Sequence, residues 1–336
     1  MSHLVSILIP AYNAEKWVAE TITSALSQTW PNKEIIIVND GSTDDTLSVA
    51  KSFESKYVKV VTQENSGASS ARNKALSFAQ GDYIQWLDAD DLLAPDKISK
   101  QMKVAETGHK NLQLLSSAYG VFHYRINKAR FTPNGIWRDL SPIDWITENF
   151  TDGKAYMVPA AWLISRKLTD EAGFWDERLS LNDDGEYICR VVLSSEAVKF
   201  VSTAKSYYRS TGFTQLSRDT SEKGIQSLLL SLKLSIQHLR SFEDNERTRK
   251  LSVALLQMYS QFFLTENPEL LEEINVLAFE LGGQFTPPIL KWKSSLLGRL
   301  LGQKAAEVTI DSLRKIKFST VVKWDEMLFI AKNGNQ

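Results

Sequence analysis

VSILIPAYNAEKW (5–17), EIIIVNDGSTDDT (34–46) and YIQWLDADDLL (83–93) decide the fold of this chain. Each opens as a continuous apolar run and closes in polar, turn-forming residues. Unbroken Ile/Val/Leu runs, rather than alternating ones, mark strands buried on both faces of a parallel sheet. VKVVTQ (58–63) is a fourth such run. Between the runs, Val18, Ile22, Ala25 and Leu26 fall at helical spacing, and 44–53, 69–79 and 95–106 read as further helices. Strand and helix alternating over short connections predict βαβ units, hence a parallel sheet covered on both faces.

Ligands bind open parallel sheets beyond the carboxyl ends of the strands. The residues there are Pro10, Ala11, Tyr12, Asn13 and Glu15 after the first strand, and Asp40-Gly41-Ser42-Thr43-Asp44 after the second. Asn65, Gly67, Arg72 and Asn73 follow the third, and Asp88-Ala89-Asp90-Asp91 the fourth. All four ends carry ligand-capable groups on one rim. Three carboxylates within four residues repel one another unless a cation neutralises them, and hard oxygen donors suit Mg²⁺ or Mn²⁺ shared with substrate phosphates. Acids also favour helix N-termini, and that reading stands beside the metal one for Asp91. Asp40 is either the head of a tight turn or a carboxylate placed to accept the imide N–H of uracil. Arg72 is either a solvated helix charge or a partner of the diphosphate. Tyr12 is either core or a stacking surface for the base, and Asn73 is equally read as a local hydrogen-bonding residue.

Four blocks in this order, SILIPAYNAEKWVAETITSALSQTW, EIIIVNDGSTDDT, NSGASSARNKAL and GDYIQWLDADDLL, resemble glycosyltransferase family 2. The resemblance implies a GT-A fold, Rossmann-like and binding a nucleotide sugar, and a transfer with inversion at the sugar carbon. It places Asp40 on a uracil-type base, makes Asp88-Ala89-Asp90 the metal motif with Asp88 near the ribose and Asp90 on the metal, and makes a UDP-sugar the expected donor. A weaker resemblance continues through MVPAAWLISRKLTDEAGFWDERLSLNDDGEYICRVVLS (157–194), similar to the family's acceptor-side segment with its acidic pair before a helix. The family more often has Glu-Asp and then an aromatic. Here Asp183-Asp184 is followed by Gly185. Position assigns the general base to Asp184, with Asp183 and Glu186 as alternates; a capped helix start is the structural reading. An acceptor hydroxyl loses its proton as the bond forms, and one carboxylate in reach can take it. Trp162 is read either as an acceptor-side stacking surface or as core.

Composition bounds the rest. A length of 336 residues predicts two domains. These are a catalytic domain over 1–219, with a donor half to about 110 and an acceptor half over 111–219, and a helical region over 220–336. In the latter, Ile225, Leu228, Leu229, Leu232, Ile236 and Leu239 form one apolar face, and Leu251, Ala254, Leu255, Met258 and Phe262 another. LQLLSSAYGVFHY (112–124) and AAWLIS (160–165) read as strands and 183–193 as a helix. A net charge of -1 gives no reason to expect nucleic acid. The one cysteine, Cys189, excludes an intrachain disulfide and fits a reducing compartment. The first strand lacks a basic leader, and no apolar run reaches the length of a membrane span. A cytoplasmic protein is expected, soluble or held at a membrane surface. From Ile289 to Lys317, Lys291, Lys293, Arg299, Lys304, Arg314, Lys315 and Lys317 alternate with leucines. Such a segment is either an interfacial helix on anionic lipid or a docked helix with a solvated basic face. The expected partners are thus a nucleotide-sugar donor and a sugar or lipid-linked acceptor. A non-catalytic sugar-nucleotide-binding scaffold on the same fold is the alternative. A nucleotidyltransferase would show a glycine-rich, lysine-containing loop where this chain has AYNAE, and a dehydrogenase would show GxGxxG after the first strand.

Overall fold

The computed structural model describes residues 2–107, 112–152, 158–210, 221–263, 268–286 and 303–333. In chain order the donor half runs β1 (Val5–Ala11), α1 (Val18–Leu26), β2 (Lys33–Asp40), α2 (Thr46–Lys51), β3 (Val58–Gln63), α3 (Ala68–Phe78), β4 (Tyr83–Trp86), β5 (Leu92–Leu93) and α4 (Lys97–Thr107). The acceptor half runs β6 (Gln113–Phe122), β7 (Arg130–Phe131), α5 (Pro142–Asp152), β8 (Ile164–Ser165), α6 (Arg166–Ala172), α7 (Asp183–Ser194) and β9 (Ala197–Arg209). The helical region holds α8 (Glu222–Phe242), α9 (Glu246–Met258), α10 (Pro268–Glu280) and α11 (Gln303–Asn333).

The main sheet has the order β3-β2-β1-β4-β8, parallel through its first four strands, with β8 antiparallel on the edge. In register, Ile7 lies between Ile35 of β2 and Gln85 of β4. Val5, Ile7, Leu8 and Ile9 are all fully buried, as a strand covered on both faces requires. A mixed α/β, GT-A type architecture with a helical C-terminal region is what the sequence implies and what the structure has.

A second sheet, β5-β9-β6-β7, was not legible in full. Its long strand β9 reads AVKFVSTAKSYYR, where Ser, Thr and Lys interrupt the apolar alternation; parallel pairing with β6 holds it, across a bulge at Ser117/Ala118. The expected strand over 160–165 shortens to β8, and a single 3-10 turn replaces its start at Pro159–Ala161. The reason is a set of side chains that take the carbonyls a ladder would use. Gln85 donates to Ala160 O, Gln101 to Ala161 O and Lys97 to Trp162 O.

The helical region shares the catalytic core. Leu228, Leu232, Leu255 and Ile274 belong to the same apolar cluster as Ile7 and Ile36, so it is no loose appendage. The boundary expected at 219/220 lies outside the described residues, as do residues 289–302 of the basic segment expected over Ile289–Lys317. Among the described residues no helix is long and apolar enough to cross a membrane.

Lys97 sits fully buried beneath the sheet, donating to Gln85 Oε1 and, at 3.0 Å, to Trp162 O. Burial pushes its amine well below the ordinary 10.5. A base with a depressed folded pKa sheds its proton first in the folded state. The unfolded chain then holds more protons, and stability rises with pH until the unfolded lysine also titrates. Wild-type protein should therefore gain stability over a Lys97→Met variant between pH 7.5 and 9.5, by up to about 1.4 kcal/mol per pH unit. Urea unfolding of both proteins at the two pH values measures this, and parallel pH curves would refute it.

Candidate functional site

The rim beyond β1 and β2 is one knitted surface. Asn13, in a left-handed conformation at φ 46°, accepts from Thr43 N at 2.9 Å, while its own N–H donates to Ser42 Oγ at 3.0 Å. Glu15 N donates to Asp44 Oδ2 at 3.1 Å, and Glu15 Oε2 accepts from Asp45 N at 3.0 Å. These pairs hold Tyr12, half exposed, above the rim. Pro10 is partly buried. Ala11 is 2% exposed and its side chain belongs to the core, so only its backbone is left to serve a donor.

Asp40 is buried at the end of β2 and draws the loop after β3 over itself. Its Oδ1 accepts from Gln63 Nε2 at 2.8 Å and Ser66 N at 2.9 Å, and its Oδ2 accepts from Gly67 N at 2.9 Å. A carboxylate has about four lone-pair sites, and three are used by the loop. Gly41 is required in this turn: its φ is +67°, and a Cβ would come within 2.6 Å of Asn65 N.

The acidic cluster follows β4. Asp91 is fully buried, with Oδ1 accepting from Arg209 N at 2.8 Å and Oδ2 without a hydrogen-bond partner. Burial and the charges of Asp90 and Asp88 push its carboxyl well up. Burial, and then the Asp88 charge, push Asp90 up to about 6 against the opposing pull of Arg209. Thr21 Oγ1 donates to Ala89 O at 2.9 Å and Asp91 O at 3.0 Å, and Arg209 Nε donates to Asp90 O at 2.7 Å. These bonds fix the backbone of the acidic turn. Arg209 closes the unanticipated β9; nothing in its sequence surroundings marked it for this site.

Arg72 joins the two halves. It is 6% exposed; Nη1 donates to Asp183 Oδ2 at 2.6 Å and Nη2 to Asp88 Oδ1 at 3.0 Å. Its guanidinium lies 4.3 Å from the ring centre of Trp175, which in turn stacks on Tyr187 at 4.1 Å. Desolvation opposes its charge, but Asp183, Asp88 and Asp184 raise its pKa further above the usual range. Each terminal nitrogen is held by one carboxylate and keeps a second N–H, and Nε has no hydrogen-bond partner, so donors remain for a diphosphate. Asn73, read two ways from sequence, clamps Trp175 through its backbone N and O at 2.9 Å each.

On the acceptor side α7 starts with Asp183, Asp184 and Glu186 in its first turn. Asp183 is taken by Arg72 and Ser69. Glu186 is buried, which opposes its charge, yet hydrogen bonds from His238 and Arg190 hold its carboxyl below the usual range. Both its oxygens are engaged by Arg190, and Oε1 also meets His238 Nε2 at 3.0 Å, which ties α7 to α8. Asp184 is half-buried and accepts from Gly185 N at 2.9 Å. The residue before this turn, Asn182, is left-handed at φ 59° and is braced by the helical region. Tyr259 OH donates to its Oδ1 and its Nδ2 donates to Ser231 Oγ, both at 2.9 Å. A Cβ at Gly185 would collide with the Asn182 side chain, so the turn favours glycine here.

Trp162 corrects an expectation. It is fully buried, its ring 5.6 Å from that of Trp145, and belongs to the core rather than to an acceptor surface.

A parallel nucleotide-type sheet, an acidic rim after its fourth strand and a second sheet that delivers an acidic helix start define the GT-A class of sugar-nucleotide transferase folds. S. aureus TarS 1–349, solved in complex with UDP-GlcNAc, shares this fold at a TM-score of 0.67 and 18% identity, over 82% of this chain and 80% of that one. The family model for Glycosyl transferase family 2 matches residues 6–172. Glycosyltransferase GlyG of Streptococcus pneumoniae is 30% identical over 221 residues, 62% of this chain and 71% of GlyG. TuaG of Bacillus subtilis, a glycosyltransferase named for teichuronic acid biosynthesis, is 45% identical over 103 residues, 30% of this chain but only 41% of TuaG. The chain belongs to glycosyltransferase family 2.

The Arg72 bridge makes a direct prediction. Arg72→Lys keeps one charge but cannot reach Asp88 and Asp183 together. It should lower stability by about 1.5–3 kcal/mol, the range for a hydrogen bond to a charged group. A chemical denaturation curve superimposable on wild type would show that the two halves are not held through this residue.

Proposed function

We propose that this chain is an inverting glycosyltransferase that moves a sugar from a UDP-sugar to a hydroxyl of a sugar or lipid-linked acceptor. The setting we propose is polysaccharide or glycoconjugate synthesis on the cytoplasmic side of a cell. The observation that carries the reading is the Asp88–Arg72–Asp183 bridge, which sets the donor rim and Asp184 on one surface. TarS was solved with UDP-GlcNAc, and TuaG is named for a polysaccharide; both favour this donor and product class.

In this reading the base stacks on Tyr12 and its imide N–H meets the remaining lone pair of Asp40. Asn13, Glu15 and Gly67 shape the pocket edge, with Pro10 and the backbone of Ala11 and Ala89 behind it. Asp184 takes the acceptor proton as the new bond forms at the sugar carbon, opposite the departing diphosphate. Attack on the face away from the leaving group inverts the centre.

The residues fit a divalent cation. Among the described residues Arg72 and Arg209 are seated among Asp88, Asp90, Asp91 and Asp183, and burial with the Asp88 charge pushes Asp90 up to about 6. Among the described residues no three His, Cys, Asp or Glu side chains form a ready metal cage, so ligands from the diphosphate are needed, as is usual for Mg²⁺. Asp90 and Asp88 would hold Mg²⁺ or Mn²⁺, whose charge would stabilise the leaving UDP.

Two measurements test this. Calorimetry should show that UDP binds only with Mg²⁺ or Mn²⁺ present and that Asp90→Asn abolishes the dependence on cation; equal binding in excess chelator would remove the metal. Asp184→Asn should bind UDP as wild type does yet lose about 10²–10⁴-fold in transfer rate. Near-normal turnover would move the base to Asp183 or Glu186.

A further inference from the structure

The described contacts of α11 with the catalytic body lie along one side of the helix. Asp325 accepts from Tyr124 N at 2.9 Å, Arg125 N at 3.1 Å and Arg125 Nε at 2.6 Å, and Glu326 accepts from Lys16 Nζ at 2.9 Å. Phe318 meets the His123 ring, Phe329 the Tyr124 ring, and Val322 is buried. At 3.6 residues per turn these five positions share one face.

The opposite face carries Leu313, Ile316, Trp324, Met327 and Ile330, exposed by 59, 63, 60, 59 and 60%. They form a stripe about 25 Å long at 1.5 Å per residue. Lys317 and Lys323 are exposed along its two edges. Between residues 312 and 331 the only acids are Asp325 and Glu326, and both are turned inward onto Arg125 and Lys16. The outward face is therefore apolar with a positive border and no exposed acid.

We infer that this face of α11 docks the protein on an anionic lipid bilayer. Apolar side chains that include Trp, edged by lysine, suit the boundary between headgroup and acyl chain. A second copy of the chain suits the face less well: in a two-fold contact the same patch meets itself, and lysines would border lysines with no acid to answer them. The face overlaps the end of the basic segment over Ile289–Lys317 noted in the sequence, sharing Leu313, Ile316 and Lys317 with it, and extends beyond it to Ile330. Because Lys16 directly follows Glu15, α11 is anchored beside the donor rim, and docking holds that rim at the membrane. This placement serves a lipid-linked acceptor, the only part of the inference that rests on the proposed function.

The test is cosedimentation of the full chain with phosphatidylglycerol-rich and with pure phosphatidylcholine vesicles, alongside UDP calorimetry. Binding should require the anionic lipid and fall as salt is raised. Lys317→Ala with Lys323→Ala should weaken it roughly thirtyfold, about fivefold for each lysine. Trp324→Glu with Met327→Glu should abolish it, with thermal melting and UDP binding unchanged. Equal binding to phosphatidylcholine overturns the inference, as does wild-type sedimentation of the Trp324→Glu, Met327→Glu protein. So does a dimer in light scattering that the same substitutions dissolve, which would give the face to a second copy. Loss of UDP binding in all proteins would instead count against the proposed function and leave the docking result standing.

Discussion

The site depends on one buried guanidinium. Arg72 reaches across from α3 to Asp88 behind β4 and to Asp183 at the start of α7, over the face of Trp175. A planar fork can hold two carboxylates at once where an ammonium holds one point. Taking that charge out of water is costly, and the cost is offset only because both partners and the aromatic face are in place. Donor rim and acceptor-side helix are therefore set relative to each other by the same group.

Around that bridge the protein tolerates a charge excess that no stability argument would select. Asp91 lies buried with one oxygen lacking a partner, and Asp90 is pushed up to about 6. Thr21 and Arg209 bind the backbone of this turn rather than neutralise its acids. Strain of this kind concentrates where a ligand supplies the missing charge. Of its carboxylates, Asp88 is paired with Arg72, while Asp91 is held out of solvent.

The helical region takes part in this arrangement from two directions. Tyr259 and Ser231 hold Asn182 in its left-handed turn ahead of Asp184, and His238 with Arg190 engages Glu186. On the far side, Glu326 and Asp325 pin the loop after β1 and the end of β6. The region thus braces the turn ahead of Asp184 as well as packing on the core.

By itself the sequence determined the parallel sheet, its strand ends and the acidic turn. Those features are local: unbroken apolar runs must be buried on both faces, and Asp88-Ala89-Asp90-Asp91 stands next to such a run in the chain. It did not determine β9, because the Ser, Thr and Lys within it hide the alternation and only pairing with β6 makes it a strand. Nor did it choose among Asp183, Asp184 and Glu186, three acids within four residues that look alike. Tertiary structure separated them by contact, giving Asp183 to Arg72 and Glu186 to Arg190 and His238. Trp162 was likewise ambiguous, since an indole in a short strand serves core and sugar stacking equally until its neighbours are known. Periodicity and turn chemistry act over a few residues, whereas burial and the pairing of charges are settled by groups a hundred residues apart, as Arg72 and Asp183 are.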